Sequence, residues 1–381
     1  MTVSMKAAVL HALGTPLAIE RVPIPTPGEG DVLIRVIACG VCHSDVHAVD
    51  GDWERPPVLP LIPGHEVVGR VVALGPGIVE RTGSVHSPSV GDLVGVPWMY
   101  SSCGTCDSCL AGMETVCSAS EATGYTKPGG YAEYLVAPAA FVGRIPEDAD
   151  PYELAPILCA GVTTFRALKR TGAQPGQWTT IVGVGGLGHL AVQYAKAMGF
   201  RVAAVDVSDD KLELAKSHGA ELVVNAATSD PATTSDPAAR SAPAAGSNPT
   251  ATSDPAAGSN PAATIQREIG GTHAAVVTAV APRAFEQAIA MLRPGGTVVY
   301  VGLPGAGQDQ VRASISAITN RELSIRGSSI GTRGDLEEAI SFAARGLVRA
   351  TIRKVPLEDV NAVLDEMRRG TLVGRVVLDL E

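Results

Sequence analysis

Four cysteines fall within fifteen residues: Cys103-Gly-Thr-Cys106-Asp-Ser-Cys109, then Cys117. Two-residue gaps let successive sulfurs turn inward around one ion, and four thiolates complete the closed tetrahedral shell of a structural zinc. Such a shell leaves no position for a substrate, so it is expected to stabilise a lobe. A second set is dispersed: Cys42-His-Ser-Asp-Val-His47, then Gly64-His65-Glu66, then Cys159. Two thiolates and an imidazole from separate segments would leave a fourth metal position free, as a catalytic zinc requires. Each element taken singly is more often structural, and spacing alone does not unite them. Cys39 reads as a small buried hydrophobe and is given no role.

A third pattern, Gly183-Val-Gly185-Gly186-Leu187-Gly188, follows an apolar strand and opens a helix. Glycines there let a pyrophosphate approach the backbone at a helix N-terminus. The next strand ends at Asp206, where a carboxylate can accept hydrogen bonds from ribose hydroxyls and would repel a 2′-phosphate, which favours NAD over NADP.

Elements must hold these groups. The first third mixes short β-rich runs, such as Val32 to Ile37 and Val67 to Leu74, with turn clusters such as Thr26-Pro-Gly-Glu-Gly30, and predicts an antiparallel, barrel-like domain. From about Gly176 the pattern becomes strand, glycine turn, helix: Thr179 to Val184, Leu187 to Met198, Arg201 to Val207. Further alternation as far as Leu303 predicts a doubly wound parallel sheet. The expected division is a catalytic domain over 1–160 with a metal lobe at about 98–118, a nucleotide-binding domain over 161–325, and a return to the first domain over 326–381.

Between Asn225 and Ile265 the chain turns to low complexity, about 226–263, with Thr-Ser-Asp-Pro at 228, 234 and 252 and Gly-Ser-Asn-Pro at 246 and 258. Proline-rich units with little apolar surface cannot stack as a solenoid, so the tract reads as a disordered surface insertion.

At 381 residues the chain has room for two cores, and its net charge of -9 disfavours nucleic-acid or anionic-membrane partners. No run approaches the roughly 18 apolar residues of a membrane span, and Met1 to His11 lacks a long apolar stretch with a cleavage site. A cytoplasmic enzyme acting on a small molecule is expected.

These residues resemble the zinc-dependent alcohol dehydrogenases of the medium-chain dehydrogenase/reductase family over nearly the whole chain outside the low-complexity tract. The diagnostic piece is Gly64-His65-Glu66-Val-Val-Gly69 with Gly75 six residues on. The resemblance implies an α/β chain with a GroES-like β-rich catalytic domain and a Rossmann doubly wound sheet, binding NAD and two zinc ions. Cys42, His65 and Cys159 fall on the family's catalytic-zinc ligands, a Cys2His set, and the four-cysteine lobe on its structural zinc. Glu66 falls on a carboxylate that can approach the metal during ligand exchange, and Asp45 on a partner that orients the zinc ligands. Lys211 matches a lysine on the adenosine ribose, or is a solvated helix lysine. His43 and Arg375 look like pyrophosphate contacts, and Thr163 and Leu187 like packing against the nicotinamide.

The same resemblance implies a mechanism. An open zinc stabilises the alkoxide as a Lewis acid, Ser44 and His47 relay the proton outward, and hydride passes to the nicotinamide. Trp53 and Trp98 match pocket-lining positions of the yeast-like and bacterial tetrameric branch and would favour short primary alcohols, oxidised to aldehydes, with the reverse also open. Without the tract, the length of roughly 345 residues suits that branch, so a homotetramer is expected, a homodimer being the alternative. A polyol or an aryl or allylic alcohol dehydrogenase would need a wider pocket, and a catalytically silent NAD-binding scaffold is the reading outside enzymes. The segment Glu80 to Ser89 is longer than the family leads one to expect.

Overall fold

The computed structural model describes residues 3–78, 88–227, 260–305, 307–372 and 374–381. The expected extension at Glu80 to Ser89 lies outside them up to residue 87, as does the low-complexity tract over 228–259. Residues 261–263, which composition assigns to that tract, form the first turn of a helix instead. Asn260 caps it, its side chain accepting the Ala263 amide at 3.3 Å, and Pro261 occupies the first turn, where its missing N–H costs nothing.

A hairpin of β1 (Ser4–Val9) and β2 (Ala18–Pro23) opens the chain. β3 (Asp31–Val41) leads into α1 (His43–Asp50) and pairs antiparallel with β4 (Val67–Leu74). β5 (Leu93–Val96) follows on the far edge of β4. β6 (Met99–Ser101) and β7 (Glu121–Ala122) form a small ribbon, and α2 (Asp107–Leu110) lies between them in the cysteine lobe. β8 (Tyr134–Pro138) pairs with β3 and β9 (Gly143–Arg144) with β5. Far along the chain, β16 (Ile352–Pro356) and β17 (Arg375–Asp379) complete this seven-stranded sheet, β17 lying antiparallel to β3 with Leu378 opposite Cys39.

After α3 (Pro151–Leu154) and α4 (Ala160–Thr171) comes a six-stranded, all-parallel sheet. Its strands are β10 (Trp178–Val182), β11 (Arg201–Asp206), β12 (Leu222–Asn225), β13 (Thr272–Val277), β14 (Leu292–Tyr300) and β15 (Ser324–Gly327), in the order β12-β11-β10-β13-β14-β15. The connecting helices are α5 (Gly188–Ala197), α6 (Asp209–Ser217), α7 (Pro261–Ile269), α8 (Pro282–Met291) and α9 (Ile315–Asn320). α10 (Arg333–Ala344) and α11 (Val360–Arg368) flank the return. Ile181 and Val276 pack with α4 and α5 on one face of this sheet, while Val182 and Val277 pack with α7 and α8 on the other. Burial of both faces is why these strands read as continuous Val-, Ile- and Ala-rich runs. The strand order reverses between β10 and β13, which opens a crevice at their carboxyl ends.

One apolar cluster joins the two sheets, running from Val68, Leu93 and Ile145 through Phe165 to Ile181 and Leu190. Among the described residues, no helix is long and apolar enough to cross a membrane.

Candidate functional site

Two helix starts and one loop bring the dispersed residues together. Cys42 occupies the N-cap of α1 and Cys159 the N-cap of α4. His65 and Glu66 lie just before β4, after Gly64, whose φ of 96° and contact with the Tyr131 ring exclude a side chain. One ligand atom from each of Cys42, His65, Glu66 and Cys159 lies within 4.8 Å of all the others, and the two sulfurs are 4.0 Å apart. All four are buried. Cys159 beside it, together with His65, holds the Cys42 thiol well below the ordinary range, and the same contact with burial pushes Cys159 well above it.

Asp45 orients the group. Its carboxylate, 1% exposed, accepts the Cys42 amide at 2.9 Å, the Gly64 amide at 3.1 Å, His65 Nδ1–H at 3.1 Å and the Tyr131 hydroxyl at 2.9 Å. A carboxylate only accepts, so the histidine proton sits on Nδ1 and the Nε2 lone pair is free. His65 Nε2 is buried and has no hydrogen-bond partner, a position that would be costly unless an electrophile sits there. The cluster therefore fits a metal ion, with two thiols and an aimed imidazole as its donors. Glu66 Oε1 pairs with Arg375 while Oε2 is buried without a partner. Burial pushes the Glu66 carboxyl up to about 7, although Arg375 draws it down.

The four cysteines of the lobe also converge within 4.8 Å of one another, free of disulfides. Cys103 Sγ lies 3.6 Å from Cys117 Sγ and 3.9 Å from Cys109 Sγ. It accepts the Cys106 amide at 3.3 Å, and backbone N–H groups, that of Thr105 foremost, lower the Cys103 thiol to about 6.

Beside the buried cluster, a cavity of about 680 Å³ runs along the crevice of the parallel sheet. Cys42, His43, Ser44, His47, Trp53, Cys159, Thr163, Gly183, Gly185, Gly186, Leu187, Asp206, Lys211 and Arg375 all line it. Gly188 does not: a side chain there would run into the Gly183 carbonyl, so this glycine serves close packing of loop and helix. Asp206 is held in place by the loop itself, accepting the Val184 amide at 2.7 Å through Oδ2 and those of Val207 and Ser208 at 2.8 and 3.1 Å through Oδ1.

Trp98 departs from expectation. It is not among the cavity-lining residues but stands behind the wall, edge-on to His65 at 4.8 Å and to Trp53 at 5.9 Å. Trp53 faces the cavity, stacked on His47 at 5.0 Å. Ser44 and His47 are not hydrogen-bonded to one another among the described residues. His47 Nδ1 instead meets Asp52 at 2.8 Å.

Asp52, Tyr131 and Tyr125, whose ring packs on Trp53 at 5.3 Å and on Trp98 at 5.6 Å, escaped the sequence reading. Asp52 sits just past the left-handed Gly51 turn that ends α1, a turn signal that could have placed it near His47. Nothing local marks the two tyrosines, which arrive from a distant loop. Ile330, at an uncommon φ of 42°, also lines the cavity with no signal in the sequence.

A dinucleotide-type crevice that meets a metal-binding thiolate–imidazole cluster defines the class, a zinc-binding dehydrogenase. Residues 28–147 match the family model described as alcohol dehydrogenase GroES-like domain, and residues 186–345 that described as zinc-binding dehydrogenase. An alcohol dehydrogenase of a Moraxella species is 47% identical over 98% of this chain and 99% of its own. The alcohol dehydrogenase of the hyperthermophilic archaeon Aeropyrum pernix superposes with a TM-score of 0.80 at 31% identity, over 98% of this chain and 99% of that one. Acetophenone reductase from Geotrichum candidum, solved in complex with NAD, gives 0.79 at 27% identity, over 99% of this chain and 97% of that one. The chain belongs to the zinc-dependent alcohol dehydrogenases of the medium-chain dehydrogenase/reductase family, and it is an oxidoreductase acting on alcohols.

Proposed function

We propose that the enzyme oxidises short primary alcohols to aldehydes, and reduces them in reverse, with NAD in preference to NADP. Cys42, His65 and Cys159 would hold a catalytic zinc, and Cys103, Cys106, Cys109 and Cys117 a second, structural one. The observation that carries the reading is the unpartnered, buried Nε2 of His65 facing two thiols beside the crevice. When bound, zinc supplies a Lewis acid that makes an alcohol hydroxyl more acidic, and the nicotinamide supplies the hydride acceptor.

The chain's own residues do the rest. Ser44 Oγ takes the substrate proton at the cavity wall and releases its own outward in the direction of His47. Asp52 holds the His47 proton on Nδ1, so that Nε2 is left as the acceptor that passes charge outward, with Asp52 itself exposed. Asp45 keeps the His65 lone pair aimed, and Glu66 Oε2 stands ready during ligand exchange. Thr163 and Leu187 shape the nicotinamide end, His43 and Arg375 meet the pyrophosphate, and Asp206 with Lys211 receives the ribose. Trp53 closes the substrate end against bulky alcohols. The proposed domain division keeps its limits near 160 and 325, with β15 (Ser324–Gly327) of the parallel sheet running across the second.

A homotetramer in the cytoplasm, with no nucleic-acid or membrane partner, is the accompanying expectation. The test is zinc per chain by elemental analysis together with kcat/KM for NAD and NADP over straight-chain, branched and aryl alcohols. Preference for aryl alcohols would remove the substrate reading, and equal use of NADP the cofactor reading.

A further inference from the structure

Two polar side chains on the buried face of α5 have no part in the chemistry above. His189, on the first turn, is fully buried. Its Nδ1 donates to the Gly185 carbonyl of the glycine loop at 3.1 Å, and its Nε2 accepts the Thr351 amide at 3.4 Å. One turn on, the Gln193 carboxamide closes a two-bond pair with the backbone of Arg349: Nε2 donates to the carbonyl at 2.9 Å and Oε1 accepts the amide at 2.9 Å. Gln193 Nε2 also donates to the His189 carbonyl at 3.1 Å.

The contacts continue into the other sheet. The Thr351 carbonyl accepts the Arg375 amide at 2.8 Å, and a Cβ on Gly374 would lie 2.6 Å from that carbonyl oxygen. At the far end the Arg375 side chain returns under the loop, where a Cβ on Gly186 would lie 3.0 Å from Nη1. A closed circuit therefore runs from the glycine loop through His189 and Thr351 to Arg375 and back. An apolar residue could pack α5 equally well, whereas a buried imidazole and carboxamide are tolerated only where their polar atoms are matched. Burial keeps the imidazole neutral, its pKa down at about 4, which leaves one donor and one acceptor on opposite sides of the ring.

We propose that His189 and Gln193 are positioning residues for the dinucleotide: they set the separation between the glycine loop and Arg375, two groups on different sheets that must meet one pyrophosphate. The proposal rests on the reading of Arg375 as a pyrophosphate contact.

The test uses the full-length, zinc-loaded enzyme and the dissociation constants of NAD, ADP-ribose and AMP, the last lacking the pyrophosphate. His189→Leu and Gln193→Leu should each weaken NAD and ADP-ribose about five- to tenfold, the scale of one or two lost hydrogen bonds, and leave AMP nearly unchanged. His189→Gln, whose amide offers a donor and an acceptor, should restore binding. A merely structural role would weaken all three ligands together. If both leucine variants bind NAD and ADP-ribose as wild type does, or lose AMP equally, or if glutamine gives no rescue, the proposal is overturned. If His189→Leu does not fold, Gln193→Leu and the glutamine variant decide the matter by the same criteria. Arg375→Gln separates the two readings. Weaker ADP-ribose binding there with no effect of the leucine variants removes only the positioning role, whereas unchanged binding removes the pyrophosphate reading and the proposal with it.

Discussion

Glu66 and Arg375, 309 positions apart, form an ion pair sealed from solvent, with 0% and 3% of their surfaces exposed. The pair bridges the catalytic cluster and the glycine loop, because Glu66 sits among the cluster's ligand atoms and Arg375 lies under Gly186. Removal of one partner leaves a buried charge uncompensated. Glu66→Leu should therefore lower unfolding stability by about 3–5 kcal/mol in urea titrations, with a smaller loss for Glu66→Gln. Equal, negligible losses for both would show that the pair contributes no stability.

The two cysteine clusters should fail differently. Cys106→Ser should release one zinc and cost much stability, since a structural zinc adds its binding free energy to folding. Cys159→Ser should abolish turnover with the fold largely kept. Elemental analysis with thermal melts checks both, and equal unfolding in the two variants would contradict the division of roles.

Cofactor choice turns on a residue with two tasks. Asp206 faces the cavity and also anchors the Val184 amide of the glycine loop. Asp206→Gly should raise the NADP to NAD ratio of kcat/KM through loss of the charge that repels a phosphate, and should also lower kcat/KM with both cofactors as the loop loses its anchor. A ratio unmoved by the substitution would exclude Asp206 from selection.

Substrate size should depend on the tryptophan that faces the cavity. Trp53→Ala should improve kcat/KM for longer or branched alcohols relative to ethanol, by no more than about 1–3 kcal/mol per methylene. Trp98→Ala should act mainly through His65, lowering turnover without reordering the substrates. Trp178, capped by the Arg201 guanidinium at 4.1 Å, serves as the control whose replacement by phenylalanine leaves the ranking intact. A ranking changed by Trp98→Ala and not by Trp53→Ala would reverse the assignment.

Acid sensitivity should come partly from Asp335 at the start of α10. Burial disfavours its charge, but hydrogen bonds from Thr332, Lys169 and Arg166 prevail and hold the carboxyl down at about 2. A folded-state pKa below the unfolded value of about 3.9 means that its stabilisation is complete above pH 4 and is lost as pH falls towards 2. The effect amounts to about 2 kcal/mol. Asp335→Asn should flatten the stability profile between pH 4 and 2, and an unchanged profile would show that other groups govern acid unfolding.

The clustered features were legible in the sequence because their geometry is local. Cys103, Cys106, Cys109 and Cys117 are close along the chain, so their spacing alone confines the sulfurs. The glycines from 183 to 188 mark a strand-to-helix turn for the same reason, and continuous apolar runs interleaved with helical segments point to a parallel sheet because both of its faces are buried. Tertiary structure decided whatever depends on distant segments meeting. Cys42, His65 and Cys159 become one site only when α1, the start of β4 and α4 converge. Tyr131 reaches Asp45, and Arg375 reaches Glu66, through strand pairing that no local pattern encodes. The contrast between Trp53 and Trp98 likewise lies in which ring the packed core turns towards the cavity, and that depends on the summed shape of neighbours from several segments rather than on either tryptophan's own surroundings in the chain.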